Sequence, residues 1–427
     1  MRLSTRTHGL VLALPAIATL GPLSPSAHAA EVILLGAVNN AVAYDCSDDG
    51  QVVVGHDPSS YWYWTRGTGV VLVPNTIGPG LGVGGHACVS SDGRYMTCST
   101  LQGEPAKAQA TLYDIMTAEY RPLGSWGFNC DIEQSGAWGM SADAQHVVGL
   151  AWEIGCAARG FSWSSATDVM TSLGTLYFFK PTRANDVSND GRVIAGWNDD
   201  YTGYRQAAAW IKNASGVFVQ TNITAPPPAG STVPVKMREA GVVSGDGQWV
   251  FGIGRTDYNG GAPWRWSAAT GVQPILPTPV SDTGYIVDSN HDGSRLLCFF
   301  GMGGGSAYMW DAQSGYVPLS QLAADAGIVT PKGWTLNLPL AMSEDGLTIV
   351  GKAQSVTGAT SPFVLDLRPT AQPCLPDVNG DAVVDAVDLS ILISAWGSFG
   401  SDADLDGDGD VGATDLSMLL TAWGPCP

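Results

Sequence analysis

Ser188-Asn189-Asp190-Gly191-Arg192-Val193-Ile194-Ala195-Gly196 decides the fold, because the same phrase recurs along most of the chain. The other copies are Ser47-Asp48-Asp49-Gly50-Gln51-Val52-Val53-Val54-Gly55, Ser90-Ser91-Asp92-Gly93, Ser141-Ala142-Asp143-Ala144, Ser244-Gly245-Asp246-Gly247, Asn290-His291-Asp292-Gly293 and Ser343-Glu344-Asp345-Gly346. Their aspartates stand at 49, 92, 143, 190, 246, 292 and 345, in steps of 43, 51, 47, 56, 46 and 53 residues. A short apolar run leads into Asp-Gly, a tight-turn dipeptide, and a β-branched run leads out, so each copy reads as a hairpin. A second hairpin follows in most copies, opened by Phe161-Ser162-Trp163, Ala209-Trp210-Ile211, Trp264-Arg265-Trp266 or Tyr308-Met309-Trp310. Four strands in roughly 45 residues make one propeller blade, and seven copies predict seven blades.

The ends of the repeat region predict how the ring closes. The last copy runs to Phe363-Val364-Leu365-Asp366-Leu367 and stops before Pro369, one strand short. Glu31-Val32-Ile33-Leu34-Leu35-Gly36 reads like an internal fourth strand such as Val169-Met170-Thr171-Ser172-Leu173-Gly174. Residues 31–36 are therefore expected to complete the seventh blade, leaving no open sheet edge. Gly160-Phe161-Ser162-Trp163-Ser164-Ser165-Ala166-Thr167-Asp168-Val169-Met170-Thr171-Ser172-Leu173-Gly174 resembles the HAF-type extracellular repeats of bacterial secreted proteins, and that resemblance spans about residues 31–367.

Composition bounds the function. Hydrophobic residues make up 45% of the chain, with 15 Trp and only 14% charged residues, which excludes disorder. The first 30 residues carry Arg2 and Arg6, an apolar stretch from Gly9 to Leu20, and Ala27-His28-Ala29, the pattern of a signal peptide cleaved near residue 30. Losing those two arginines moves the net charge from −19 to −21, so nucleic acid is not an expected partner. No other stretch is apolar enough to span a bilayer, so the mature protein is expected to be secreted or extracytoplasmic, without a transmembrane segment. Eight cysteines in an exported chain favour disulfides. Cys88 and Cys98 flank Gly93 symmetrically and could bridge across a hairpin, and Cys130 with Cys156 is a second candidate pair.

The body offers no marked catalytic set, and its catalytic residues are unknown from sequence. An aspartate beside a turn glycine in every blade is expected to cap its turn rather than to do chemistry. Glu104, Glu133, Glu153 and Glu239 read as solvated loop charges, and His56, His86, His146 and His291 lack the spacing of metal ligands.

Pro369, Pro373 and Pro376 mark a linker over 369–376, and a different module fills 377–427. Ten acidic residues fall between Asp377 and Asp415, with no Lys or Arg among them. Two loops lie 27 residues apart, one starting Asp377-Val378-Asn379-Gly380-Asp381 and the other Asp404-Leu405-Asp406-Gly407-Asp408. Each runs into the same helix, Asp388-Leu389-Ser390 to Trp396-Gly397 or Asp415-Leu416-Ser417 to Trp423-Gly424. Calcium takes about 6 to 8 oxygens, and a twelve-residue loop supplies them from positions 1, 3, 5, 7, 9 and 12. Those positions are Asp377, Asn379, Asp381, the Val383 carbonyl, Asp385 and Asp388 in the first loop. In the second they are Asp404, Asp406, Asp408, the Asp410 carbonyl, Gly412 with a water in place of a side chain, and Asp415. Two Ca2+ sites are expected. The sixth position is Ala382 in the first loop, where a glycine is usual, so the first site is expected to be the weaker.

This duplicated segment resembles the type I dockerins, in the variety bracketed by cysteines with Trp-Gly ending each helix. That resemblance implies calcium binding, a Cys374–Cys426 clasp, and a cohesin-like or cell-surface protein as partner. The expected fold is all-β, a seven-bladed β-propeller over 31–368 with a small α C-terminal dockerin module. The expected function is an exported calcium-binding protein whose dockerin tethers a propeller that serves as a binding or structural surface. The alternatives are a carbohydrate-active enzyme, a polysaccharide hydrolase or lyase delivered by the dockerin, and a lectin-like binder of glycan using Trp62, Trp64 and Trp126.

Overall fold

The structure, a computed structural model, describes residues 30–36, 40–81, 84–301, 305–368, 376–379, 381, 383–398, 401 and 403–426. All of the expected signal peptide but Ala30, and all of the expected linker but Pro376, lie outside these residues. Residues 30–368 form one compact unit, and the residues from 376 onward belong to a second.

The first unit is a seven-bladed β-propeller. Blades 1, 3, 4, 5 and 6 are four-stranded antiparallel sheets in sequence order, starting at Val42, Ser135, Thr182, Ala240 and Gly284. Blade 2 has three regular strands, Tyr95–Gln102, Lys107–Asp114 and Glu119–Pro122, and its inner segment joins through the Val89–Met96 bridge. First strands of neighbouring blades touch one another, which puts them around the axis. Blade 7 takes three strands from 334–366 and its fourth from Glu31–Leu34, in the register Glu31 opposite Asp366 to Leu34 opposite Phe363. The N-terminal strand therefore closes the ring, as expected.

The two longest repeat steps carry insertions. A small hairpin, Thr224–Ala225 with Val235–Lys236, follows blade 4, and helix α1, Leu319–Asp325, follows blade 6 with Leu319 and Ala323 buried.

The repeated phrase builds its turn from two side chains. In blade 4 the Ser188 hydroxyl donates to Asp190 Oδ1 at 2.7 Å, while Ser188 Oγ accepts from the Val193 N–H at 3.0 Å. Asp190 Oδ1 also accepts from the Arg192 N–H at 2.9 Å, and Gly191 takes φ +64°. Blades 1, 2, 3, 5 and 7 repeat the serine–aspartate contact, and in blade 6 Asn290 accepts from the Arg295 N–H instead. The aspartate caps its turn, and the serine before it is an equal partner. Replacing Ser188, a fully buried residue, by alanine leaves the Val193 N–H without its acceptor. It is expected to lower stability by about 1–2 kcal/mol, read as a shift of the urea midpoint.

The core lies between blades and is rich in indole. Trp62, Trp163, Trp210 and Trp264 are all 0% exposed. Trp62 and Trp64 are thus packing residues rather than ligand platforms: they alternate along the blade 1 strand Tyr61–Thr65, which is covered on both faces. Trp126 is half-buried and donates its N–H to the Met170 carbonyl.

Of the cysteines, Cys130 and Cys156 form a disulfide with Cα atoms 5.0 Å apart. Cys88 and Cys98 do not bridge; both are buried free thiols. Cys88 pairs with Thr97, and alternation along the strand then turns the Cys98 side chain to the other face.

A salt-bridged seam crosses the closure. Arg66 of blade 1 contacts Glu31 on the closing strand and reaches Asp366 at 2.9 Å, with the Asp366 side chain 6% exposed. Arg368 adds a bond to Asp345 at 3.1 Å and a contact with the Asp48 carbonyl.

Candidate calcium module and the propeller face

In the second unit, helices α2 (Ala386–Ser394) and α3 (Ala413–Thr421) follow the two acidic loops. Asp388 and Asp415 sit in equivalent places, in the first turns of α2 and α3, and both are buried. Asp388 accepts from the N–H groups of Asn379 at 3.1 Å and Asp385 at 2.9 Å. Asp415 accepts from Asp406 at 3.1 Å, Gly412 at 2.6 Å and Leu405 at 2.7 Å. The same contacts recur after a 27-residue shift, so the sequence duplication is a structural one. Backbone donors, that of Gly412 foremost, hold the Asp415 carboxyl below its usual range.

The loops bring their carboxylates together. Asp404, Asp406 and Asp408 place ligand oxygens within 4.8 Å of one another, as do Asp377, Asp381 and Asp388. In the second loop Asp404 accepts from the Gly407 and Gly409 N–H groups at 2.9 and 3.0 Å, and Gly409, its sixth residue, takes φ +107°. In the first loop Asp381 accepts from the Val383 N–H at 3.0 Å, and Asp385 caps α2 through the Val387 N–H at 2.7 Å. Gly412 stands where Asp385 does and has no side chain to do this. Like charges also crowd the second loop: Asp408, foremost, pushes the Asp410 carboxyl up. Ala382 lies outside the described residues.

A small apolar core joins the two halves. Val384 and Val411, the eighth loop residues, are fully buried with Leu392 and Leu419. Each half grips the other: the Gly397 N–H donates to the Val411 carbonyl at 2.8 Å, and Gly424 pairs with Val384. Ile393 and Leu420, one repeat apart, are both 52% exposed, and Trp396 and Trp423 are both 49% exposed. Cys426 is disulfide-bonded, and its expected partner Cys374 lies outside the described residues.

On the propeller, the starts of the inner strands hold a belt of rings and charges. Tyr44 stacks between His56 and His86 at 4.4 and 4.5 Å, and His86 meets Trp138 at 4.3 Å. Arg183 lies 3.6 Å over Trp138, and Arg205 lies 4.0 Å over Trp197. Both arginines grip Glu239, at 2.6 and 3.0 Å, and Asn185 donates to it at 2.8 Å. Glu133 is buried and accepts from the Gly84 N–H at 2.7 Å and Trp152 Nε1 at 2.9 Å.

The sequence therefore misjudged Glu133 and Glu239, which are partnered structural carboxylates held by groups from other strands. Glu104 is exposed and Glu153 pairs with Arg159 at 3.2 Å. Burial pushes His56 and His86 down to about 4 and about 3. His291 faces Glu344 at 3.1 Å, and His146 is half-buried.

Nearer the axis, Asp45, Asp186 and Asp288 each stand two residues before the repeat phrase, at a β-bulge of the first strand. One oxygen of each accepts from the next residue, and the other accepts from the following blade. Val89, Val243 and Met342 donate these inter-blade bonds at 2.8, 2.7 and 2.7 Å. Each keeps some accessible surface, yet so much protein surrounds it that burial dominates its titration. Asp45 is pushed up to about 7 and Asp186 to about 6, and burial likewise raises Asp288 well above the usual carboxylate range, against the pull of the backbone donors.

Residues 375–421 match the dockerin type I domain. No curated protein matches the chain. Among solved structures, the propeller is similar to the β-propeller domain of the Trilobed protease from Pyrococcus furiosus, at 10% identity over 78% of this chain and 98% of that one, with a TM-score of 0.50. It is also similar to an oligogalacturonate lyase from Vibrio parahaemolyticus, at 11% identity over 78% of this chain and 93% of that one, TM-score 0.50. At such identities the likeness shows the fold alone. Among the described residues, no helix is long and apolar enough to cross a membrane.

Proposed function

We propose that the protein is an exported calcium-binding tether, in which the dockerin module over 377–427 docks to a cohesin-like or cell-surface protein and the propeller over 31–368 presents a binding surface. Residues 1–30 serve as its signal peptide and 369–376 as its linker. The observation that carries this reading is the pair of loop–helix units that gather carboxylates on the same scheme twice. Dockerin domains bind calcium and pair with cohesins, and they are typically extracellular. Here Asp377, Asn379, Asp381, Val383, Asp385 and Asp388 would hold one ion. Asp404, Asp406, Asp408, Asp410 and Asp415 would hold the other, with oxygen ligands suited to a hard cation. The exposed pairs Ile393 and Leu420, Trp396 and Trp423 offer the partner an apolar face on each half.

The catalytic alternative, hydrolysis or lysis of a polysaccharide, is less well supported. Glycoside hydrolysis needs a placed carboxylate pair. Glu239 is held by two arginines, Glu133 by two N–H donors, and the three axial aspartates by backbone N–H groups.

The test uses the full mature chain on immobilised type I cohesin. Retention is expected in millimolar calcium and is expected to vanish in EDTA and in Asp404→Ala. Retention that is indifferent to EDTA, or no uptake of calcium at all, would remove the tether reading.

A further inference from the structure

Blades 5 and 6 break the sevenfold pattern at two neighbouring positions. The residue opposite the second strand on the third strand is Trp64, Tyr113, Trp163, Trp210, Trp266, Trp310 or Leu365 in successive blades. All are buried but Trp310, which keeps part of its ring in solvent. At the start of the second strand the seven residues are Val52, Tyr95, His146, Val193, Trp249, Arg295 and Thr348, and only blade 5 has an indole there. These two tryptophans border a cleft of about 480 Å³ between the blades, with Arg265, Arg295, Asp292 and Asp311 around it.

The lining is set rather than loose. The Arg265 guanidinium lies 4.4 Å over the Trp249 ring, and its Nε donates to Gln273 at 2.9 Å. Arg295 is anchored through the Asp345 carbonyl at 2.9 Å. Asp311 accepts from the Gln313 and Ser314 N–H groups at 2.8 and 2.7 Å, and Asp292 accepts from the Ser294 N–H at 2.9 Å. Gly293, at φ +68°, lets its turn close on Trp249, where a Cβ would come within 3.2 Å of the ring. Among the described residues, neither indole N–H has a protein partner.

We propose that this cleft binds a neutral saccharide, one sugar ring lying on Trp310. The inference rests on the reading of the propeller as a binding surface. A sugar ring has an apolar face that suits an indole and hydroxyls that need a donor and an acceptor together. Fixed guanidinium and carboxylate groups supply both. Two arginines against two aspartates leave the lining without net charge, so it favours an uncharged ring over a uronate.

The experiment is calorimetric titration of the full mature chain, in calcium, with three neutral hexaoses built of β-1,4-linked glucose, xylose or mannose, and with trigalacturonate. Saturable binding of at least one neutral hexaose, and none of trigalacturonate, is expected. Trp310→Ala is expected to weaken it by roughly tenfold or more. Ala312→Trp, an exposed substitution at the mouth that leaves the core untouched, is expected to block it. Trp138→Ala, in the belt across the propeller, is expected to leave it unchanged. No binding by any neutral hexaose, preference for trigalacturonate, or binding that survives Ala312→Trp overturns the proposal. Retention on cohesin is read on the same samples, so a failure here is distinct from a failure of the tether.

Discussion

Replacing Asp415 by alanine is expected to remove calcium from the second loop and to loosen the start of α3, whereas Asp388→Ala costs the first loop its ion with less damage to its helix. The difference follows from one residue. Asp385 caps α2 with its own carboxylate, so that helix keeps a capped end when Asp388 is lost. Gly412 offers no such group, and the Gly412, Leu405 and Asp406 N–H groups all point at Asp415 alone. Calcium affinity at the second loop is expected to fall roughly a hundredfold or more, since both a ligand and the loop geometry go together. Calcium titration by calorimetry reads the stoichiometry, and circular dichroism without calcium reads the helix. An Asp415→Ala chain that still takes up two ions with unchanged affinity would show that this carboxylate is not a ligand.

The propeller is expected to lose stability as pH rises from 6.5 to 8.5. Asp45 and Asp288 have folded-state pKa values raised by burial, Asp45 to about 7. In the unfolded chain they titrate near 3.9. Between those values the folded chain keeps protons that the unfolded chain has already released, so ΔG of unfolding falls as pH rises. Asp186, raised to about 6, contributes in the same direction but mostly below this window. His56 and His86 act oppositely, because their lowered pKa values make folding more favourable as pH rises toward 6.5. The unfolded-state titration behind their gain is half complete at 6.5 and ends near 7.5, and above that the aspartates act alone among these groups. Asp45 accounts for a fall of roughly 1 kcal/mol across the window, about what the two histidines still gain above 6.5, so the net fall is the part that Asp288 carries. Urea midpoints in EDTA, followed by tryptophan fluorescence, measure it, and Asp288→Asn is expected to flatten the slope. A midpoint that rises or holds steady over this range contradicts the assignment.

Whatever recurred in the sequence was legible. Asp49 to Asp345 announced seven blades because a turn needs Gly or Asn-like φ at a fixed place, and seven turns repeat the demand. The two acidic loops were legible for the same reason, as a motif and its copy. What was not legible is what occurs in only some blades. The position two before the repeat phrase is Asp45, Cys88, Gly139, Asp186, Val242, Asp288 and Ala341, and no rule of composition singles out three of these as inter-blade ties. Glu133 and Glu239 looked solvated because sequence spacing places them outside hairpins. Their partners, Trp152, Arg183 and Arg205, come from other strands. The Cys88–Cys98 symmetry about Gly93 misled because a one-residue offset in pairing reverses the face of a side chain. Trp310 is ordinary in the sequence, one of five tryptophans at its repeat position, and unusual only in staying half-exposed where the others are buried.

The closing strand has a consequence in time. Glu31–Leu34 precedes its strand partner, Thr360–Asp366, by nearly the whole length of the unit, so it is free of a partner for as long as the later blades have yet to form. Until then Val32, Ile33 and Leu34 have nowhere to pair, and Arg66 waits for Asp366. Six blades can stack locally as they emerge, but the ring cannot lock by any local step, since its seam joins the two most distant parts of the unit. Folding of this propeller is therefore gated at its end: the first strand made is the last to be placed.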